Sequence, residues 1–119
     1  MIEISKIIYA TLSTLNTKCF PIVAPESTTL PFVVYQRSVN VEVTKDGRAF
    51  DTNTITIHVL AEDYSDSMTI SKQIDDLMQG LTGDVSGVHI YYTRLNSVAE
   101  LYDSGVFIQK LEYEIKTAS

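Results

Sequence analysis

The stretch Asn53-Thr54-Ile55-Thr56-Ile57-His58-Val59-Leu60-Ala61 decides the fold class. Ile55, Ile57, Val59 and Ala61 alternate with Thr54, Thr56, His58 and Leu60. A period of two sends the sets to opposite faces of a strand. One face is apolar and the other mostly polar, which predicts a sheet covered on one side only. The alternation carries a strand over Arg48–Ala61.

Upstream, Lys45-Asp46-Gly47 is a hairpin turn signal, and Phe32–Val41, rich in β-branched and aromatic residues, pairs with it as a second strand. A loop with Pro21, Pro25, Pro31 and the run Glu26-Ser27-Thr28-Thr29 precedes it. Before the loop, Ile4, Ile7, Ile8, Leu12 and Leu15 share one face at helical spacing, predicting a helix over about Ile2–Leu15. Downstream, Asp63 or Ser65 can cap a helix over Asp66–Leu81. Its buried stripe is Ile70, Ile74, Leu77, Met78 and Leu81, its solvated face holds Asp75 and Asp76, and Gly80 and Gly83 end it. Val88–Val98 and Gly105–Lys116 complete the strands. In the latter, Phe107, Leu111, Tyr113 and Ile115 face one way and Lys110, Glu112, Glu114 and Lys116 the other. The expectation is one α+β domain over 1–119: a mainly antiparallel sheet of about four strands with two helices packed on one face, in the order helix-strand-strand-helix-strand-strand.

Length and composition agree with one globular core: 119 residues, 45% hydrophobic, 20% charged. A single cysteine, Cys19, allows no internal disulfide and suits a reducing compartment. No signal peptide is expected at the N-terminus, and no segment approaches the roughly 20 apolar residues of a membrane span. The net charge of −6 is unevenly placed. Residues 1–60 carry five basic and five acidic side chains, residues 61–119 four and ten. With no Lys/Arg cluster, sequence-independent binding to nucleic acid is disfavoured, because phosphate contact needs cations.

Catalytic constellations are not legible. His58 and His89 lie within strands, with no Cys or His at metal-ligand spacing. Glu62, Asp63 and Asp66 are better explained by helix capping than by a calcium loop. Asp75 and Asp76 are adjacent on a helix and diverge. Cys19, beside Phe20, is a small buried hydrophobe before it is a nucleophile. The five glycines form no phosphate cradle. No enzyme, cofactor or metal is therefore expected. Seven tyrosines and no tryptophan remain. Tyr35, Tyr102 and Tyr113 are candidates for the core, and Tyr91 and Tyr92 point to opposite sides of a strand, so one of them is exposed or faces a protein partner.

In order along the chain, several steps resemble the small tail-completion proteins of long-tailed phages, the tail terminators. These steps are Lys18-Cys19-Phe20-Pro21, Ala24-Pro25, Leu30-Pro31-Phe32-Val33-Val34-Tyr35-Gln36-Arg37, Ala61-Glu62-Asp63-Tyr64 and Glu100-Leu101-Tyr102-Asp103 followed by Phe107–Ile115. The resemblance spans Ile2 to Lys116; the chain departs from the pattern at Lys18 and Cys19, where the family has an Arg and a branched residue.

The resemblance implies a structural virion assembly protein that caps the head-proximal end of a tail tube, stops its polymerisation and forms the joining surface for the head. It implies a ring of its own copies, typically six, contacting the major tail tube protein and a head-completion or connector protein. DNA passes through without specific binding, no membrane is involved, and assembly in the host cytoplasm precedes incorporation at the tail neck. An acidic lumen, drawn from the second half, would keep DNA from sticking. Lys45, Asp46, Arg48 and Tyr91 are candidate subunit-interface residues, and the segment Val41–Asp51 reads equally as an arm reaching a neighbour or a mobile turn. A neck or minor capsid component binding the connector, and a cytoplasmic ligand-binding α+β domain, stay open as alternatives.

Overall fold

The computed structural model describes residues 2–44 and 47–118. Its elements are α1 (Ile2–Leu12), β1 (Lys18–Pro21), β2 (Phe32–Thr44), β3 (Gly47–Ala61), α2 (Tyr64–Gln79), β4 (Gly83–Val85), β5 (Val88–Asp103) and β6 (Val106–Ala118). The strands form one curled, half-barrel sheet in the order β1-β2-β3-β6-β5-β4. β1 runs parallel to β2; every other neighbouring pair is antiparallel.

This corrects the expected four-stranded sheet: among the described residues there are six strands, and the sheet is mixed. The two unforeseen strands are too short to show a period. β1 has four residues and pairs Lys18–Pro21 with Phe32–Tyr35; Pro21, which has no N–H to donate, stands at its end. β4 has three residues, folded against Val88–Ile90 by a two-residue turn at Ser86-Gly87. Both exist because an open strand edge offers backbone partners, which no local side-chain pattern encodes.

Other boundaries moved for local reasons. α1 stops at Leu12 rather than Leu15, where the Ser13 and Thr14 hydroxyls donate to the Tyr9 and Thr11 carbonyls at 2.6 and 2.8 Å. Such side-chain bonds compete with helix continuation. α2 begins after Asp63, whose carbonyl accepts from Ser67 N while its carboxylate makes no cap bond. Gly80 ends α2 in right-handed geometry, φ −80°, so its glycine freedom goes unused there. β5 and β6 continue to a two-residue turn at Ser104-Gly105, with φ of 50° and 84°. Ser86 and Gly87 at 47° and 84° repeat this conformation. Positive φ at both central positions matches the twist of antiparallel strands, and glycine takes the second at little cost.

The core lies between the helices and one sheet face. Ile4, Ile7, Ile8 and Leu12 of α1 and Ile70, Ile74 and Met78 of α2 pack with Val33, Tyr35, Ile55, Ile57, Val59, Leu111, Tyr113 and Ile115. Each fully buried aliphatic side chain contributes about 1.5–3 kcal/mol relative to exposure. Leu77 is only half-buried. Asp75, expected in water, is half-buried and accepts a hydrogen bond from the Tyr113 hydroxyl at 2.6 Å, which fastens α2 to β6. A polar row of Asp51, Asn53 and Thr117 closes one end of the core, where Asn53 Nδ2 donates to the Ile115 carbonyl at 3.2 Å.

Candidate interaction surfaces

Among the described residues no three His, Cys, Asp or Glu side chains gather as a metal site, and no helix is long and apolar enough to cross a membrane. His58 is half-buried on β3, and burial, then the Lys110 charge, lowers its pKa. His89 sits on the β4–β5 hairpin, its Nδ1 2.9 Å from Asp84 Oδ1. The Cys19 thiol packs against the core beside the Leu12 and Thr17 carbonyls, and burial pushes its pKa up to about 11. A thiol held protonated at neutral pH is a poor nucleophile.

The sheet has two partly open sides. β1 covers only the first four of the thirteen residues of β2. On the other side β4 covers only Val88–Ile90 of the sixteen residues of β5. Uncovered edges are ready templates for another strand. β2 and β5 run in opposite directions, because β2, β3, β6 and β5 alternate.

Of the sequence-derived interface residues, Lys45 and Asp46 lie outside the described residues. Arg48 occupies β3 opposite Val43. Tyr91 is the extra residue of a β-bulge between Ile90 and Tyr92, 51% exposed, its ring edge-on to His89 at 4.9 Å. The structure does not bring Tyr91 and Arg48 together: β6 separates their strands. Tyr92 bonds to Glu114, which also forms an ion pair with Arg94 at 2.7 Å. Tyr35 and Tyr113 are core residues, whereas Tyr102 is 64% exposed, correcting its expected burial.

The face away from the core holds a feature that strand-by-strand reading missed. Register aligns Phe32, Leu60, Ile108 and Leu101 in one row across β2, β3, β6 and β5. Residues directly opposite point to the same face, so the row is an apolar band at one end of a face whose other end is charged by Glu112, Glu114, Arg94 and Lys116. Beyond β1, Ile22 and Val23 extend it, and a groove of about 340 Å³ lies among Val23, Phe32, Val34, Leu60 and Ile108. Ile22 is 74% exposed and Val23 72%. Ile22 also adopts φ 66°, strained for a β-branched residue. Each strand contributes a single apolar residue to the row, so only the register discloses the band.

At this end the β5–β6 tip meets the start of α2. Phe107 packs edge-on to Tyr64 at 5.8 Å and beside Tyr102 at 4.8 Å. The Glu100 carboxylate accepts a hydrogen bond from Gln109 Nε2 at 3.0 Å, and its bonds from the Tyr64 hydroxyl, first, and Gln109 lower its pKa.

This architecture is found in a virus-like particle. A chain of the virion of a native gene transfer agent particle superposes with a TM-score of 0.77 at 12% identity, over 94% of this chain and 92% of that one. At that identity the likeness is one of fold. No family model matches the sequence, and no curated protein matches it.

Proposed function

We propose that this chain is a structural component of a phage-like virion, with no catalytic role, whose copies close into a ring on the head-proximal end of a tail tube. The observation that carries the reading is a pair of open strand edges on opposite sides of one sheet, in a fold shared with a chain of a gene transfer agent virion. Four long antiparallel strands make the repeat even. Placing the β5 edge of one copy beside the β2 edge of the next, by rotation about an axis along the strands, keeps every junction antiparallel. A head-to-tail contact that closes in this way leaves no copy with a free template.

The finer assignments come from the family the sequence resembles: six copies, contacts to the major tail tube protein on one side and a head-completion or connector protein on the other, and DNA passing through without specific binding. The whole chain acts as one domain, assembled in the host cytoplasm. Lys45, Asp46, Arg48 and Tyr91 are assigned to the contact between copies. Reversing the charge of Lys45 and Arg48 is expected to abolish ring formation, and reversing acidic partners on the neighbour to restore it.

Disruption of the gene in a particle-producing host tests the reading. Tails of uncontrolled length beside filled, unattached heads are the expected outcome. Normal tails with empty heads would assign the chain to the neck or capsid instead, and unchanged particles would remove it from assembly.

A further inference from the structure

The acidic excess of the second half does not lie evenly over the molecule. Glu62, Asp63, Asp66, Glu100 and Asp103 are five of its ten carboxylates. All five are exposed, on the start of α2 and the β5–β6 tip. They lie at the same end as the exposed apolar side chains Tyr64, Met68 and Tyr102, on the helix side of the sheet, and Leu101, on the opposite face with the band that runs through Ile108, Leu60 and Phe32 to Val23. The cations in the rows of the band are Lys18 and Lys110. Among the described residues, four of the nine exposed large hydrophobics (Tyr64, Met68, Leu101 and Tyr102) lie at this end, Ile22 and Val23 continue the band beyond β1, and Tyr9, Tyr91 and Val98 lie elsewhere.

We propose that this end of the sheet is the docking surface for a different protein, whose contact face is apolar at its centre and rimmed by lysine and arginine. An apolar centre with a polar rim is the anatomy of a protein interface, and an exposed apolar patch of this extent marks one. The row crosses four strands from β2 to β5, about 14 Å at sheet spacing. Charge selects the occupant. A second copy docked through the same end would set carboxylates against carboxylates, a repulsion strengthened as water is excluded. A basic rim is attracted and steered onto the site. Ile22, apolar, exposed and held in left-handed geometry, is a strained surface residue of the kind found at functional contacts. The inference deepens the virion reading, which it needs only to say where the partner is sought: side-by-side contacts through β2 and β5 leave this end free for the next layer.

A photoreactive benzoylphenylalanine placed at Leu101, at Val23 and, as control, at Tyr9 tests it in particle-producing cells, irradiated before fractionation. Cross-links from positions 101 and 23, absent from position 9, to a peptide of another protein with apolar residues flanked by lysine or arginine are expected. Val23→Ser with Leu101→Ser, scored with the probe at Met68, should lower the yield by at least roughly tenfold. Asp63→Lys with Asp103→Lys should lower it similarly, while the purified variants keep the wild-type oligomer size and far-ultraviolet circular dichroism. Cross-links only between copies of this chain, none at all, or yields unmoved by both double variants would overturn the proposal. Its failure is separable from that of the virion reading: the same cells show independently whether the chain enters particles.

Discussion

The Tyr113 hydroxyl donates to Asp75 Oδ1 at 2.6 Å, joining the centre of β6 to the middle of α2 across the core. Tyr113 is fully buried, and Asp75 is half-buried at the helix surface. A charged acceptor makes this one of the stronger hydrogen bonds in the molecule. Tyr113→Phe keeps the ring and leaves Asp75 within reach of water, so the expected loss is about 1–2 kcal/mol in urea unfolding. A variant within about 0.5 kcal/mol of wild type would show that this bond does not hold the helix to the sheet.

The same tyrosine gives the fold an alkaline limit. Burial first, then the Asp75 hydrogen bond, holds the Tyr113 pKa far above its ordinary value; Tyr35 is also raised, mainly by burial. Unfolding frees both to lose protons above about pH 10. The unfolded chain then binds fewer protons than the native one, so the contribution of these tyrosines is intact below about pH 10 and falls as pH rises beyond it, a decline that the raised Cys19 thiol begins at about pH 9. Each proton steepens that decline by about 1.4 kcal/mol per pH unit. Denaturation curves between pH 8 and 11, on the order of four points, should show the decline, and Tyr113→Phe should show a shallower one. Equal slopes would contradict the assignment.

Cys19 should be slow toward thiol reagents in the native protein. With its pKa pushed up to about 11, its thiolate fraction at pH 8 is on the order of a hundredfold below that of an ordinary cysteine. Ellman reagent kinetics at that pH, with and without 6 M urea (about the range that unfolds small domains), read the difference directly. Native reaction at the rate of a free thiol would place Cys19 outside the core.

Gly105→Ala isolates backbone strain from packing. A Cβ there meets nothing within 4 Å, yet φ is 84°. The expected cost is about 1 kcal/mol, arising from the left-handed geometry alone. Ser104→Asn should be neutral or slightly stabilising, because asparagine followed by glycine favours this turn. A Gly105→Ala variant as stable as wild type would mean that the tip relaxes out of this conformation.

Ile57→Ala should cost about 2–5 kcal/mol, read from the urea midpoint. Ile57 is fully buried on a central strand, between Tyr35 and Leu111 in the register, where neighbours on both sides limit collapse of the cavity. A loss below about 1 kcal/mol would mean that the core repacks there.

The amphipathic elements were legible where the pattern was long enough to be a pattern. Ile55, Ile57 and Val59 show period two, and Ile70, Ile74 and Met78 show period near 3.6; these side chains are buried. β1 and β4 were not legible: four and three residues carry no period, and they are strands only because β2 and β5 present an edge to them. Asp75 looked like a solvated carboxylate because its partner is 38 residues away. Tyr102 looked like core, yet it ends up on an exposed tip. The interface candidates Lys45, Asp46 and Arg48 followed charge near a turn. The apolar band was invisible because Phe32, Leu60, Ile108 and Leu101 come from four segments spread between positions 32 and 108.

The amino-acid sequence by itself determined which faces are apolar, where the two helices and four long strands run, and that the negative charge belongs to the second half; these follow from side-chain periodicity and composition, which are local. Only the tertiary structure decided the strand order, the two short strands, the unpaired edges and the gathering of apolar and acidic side chains at one end. Those depend on register, which is set by backbone pairing between distant segments and leaves no mark on either segment alone.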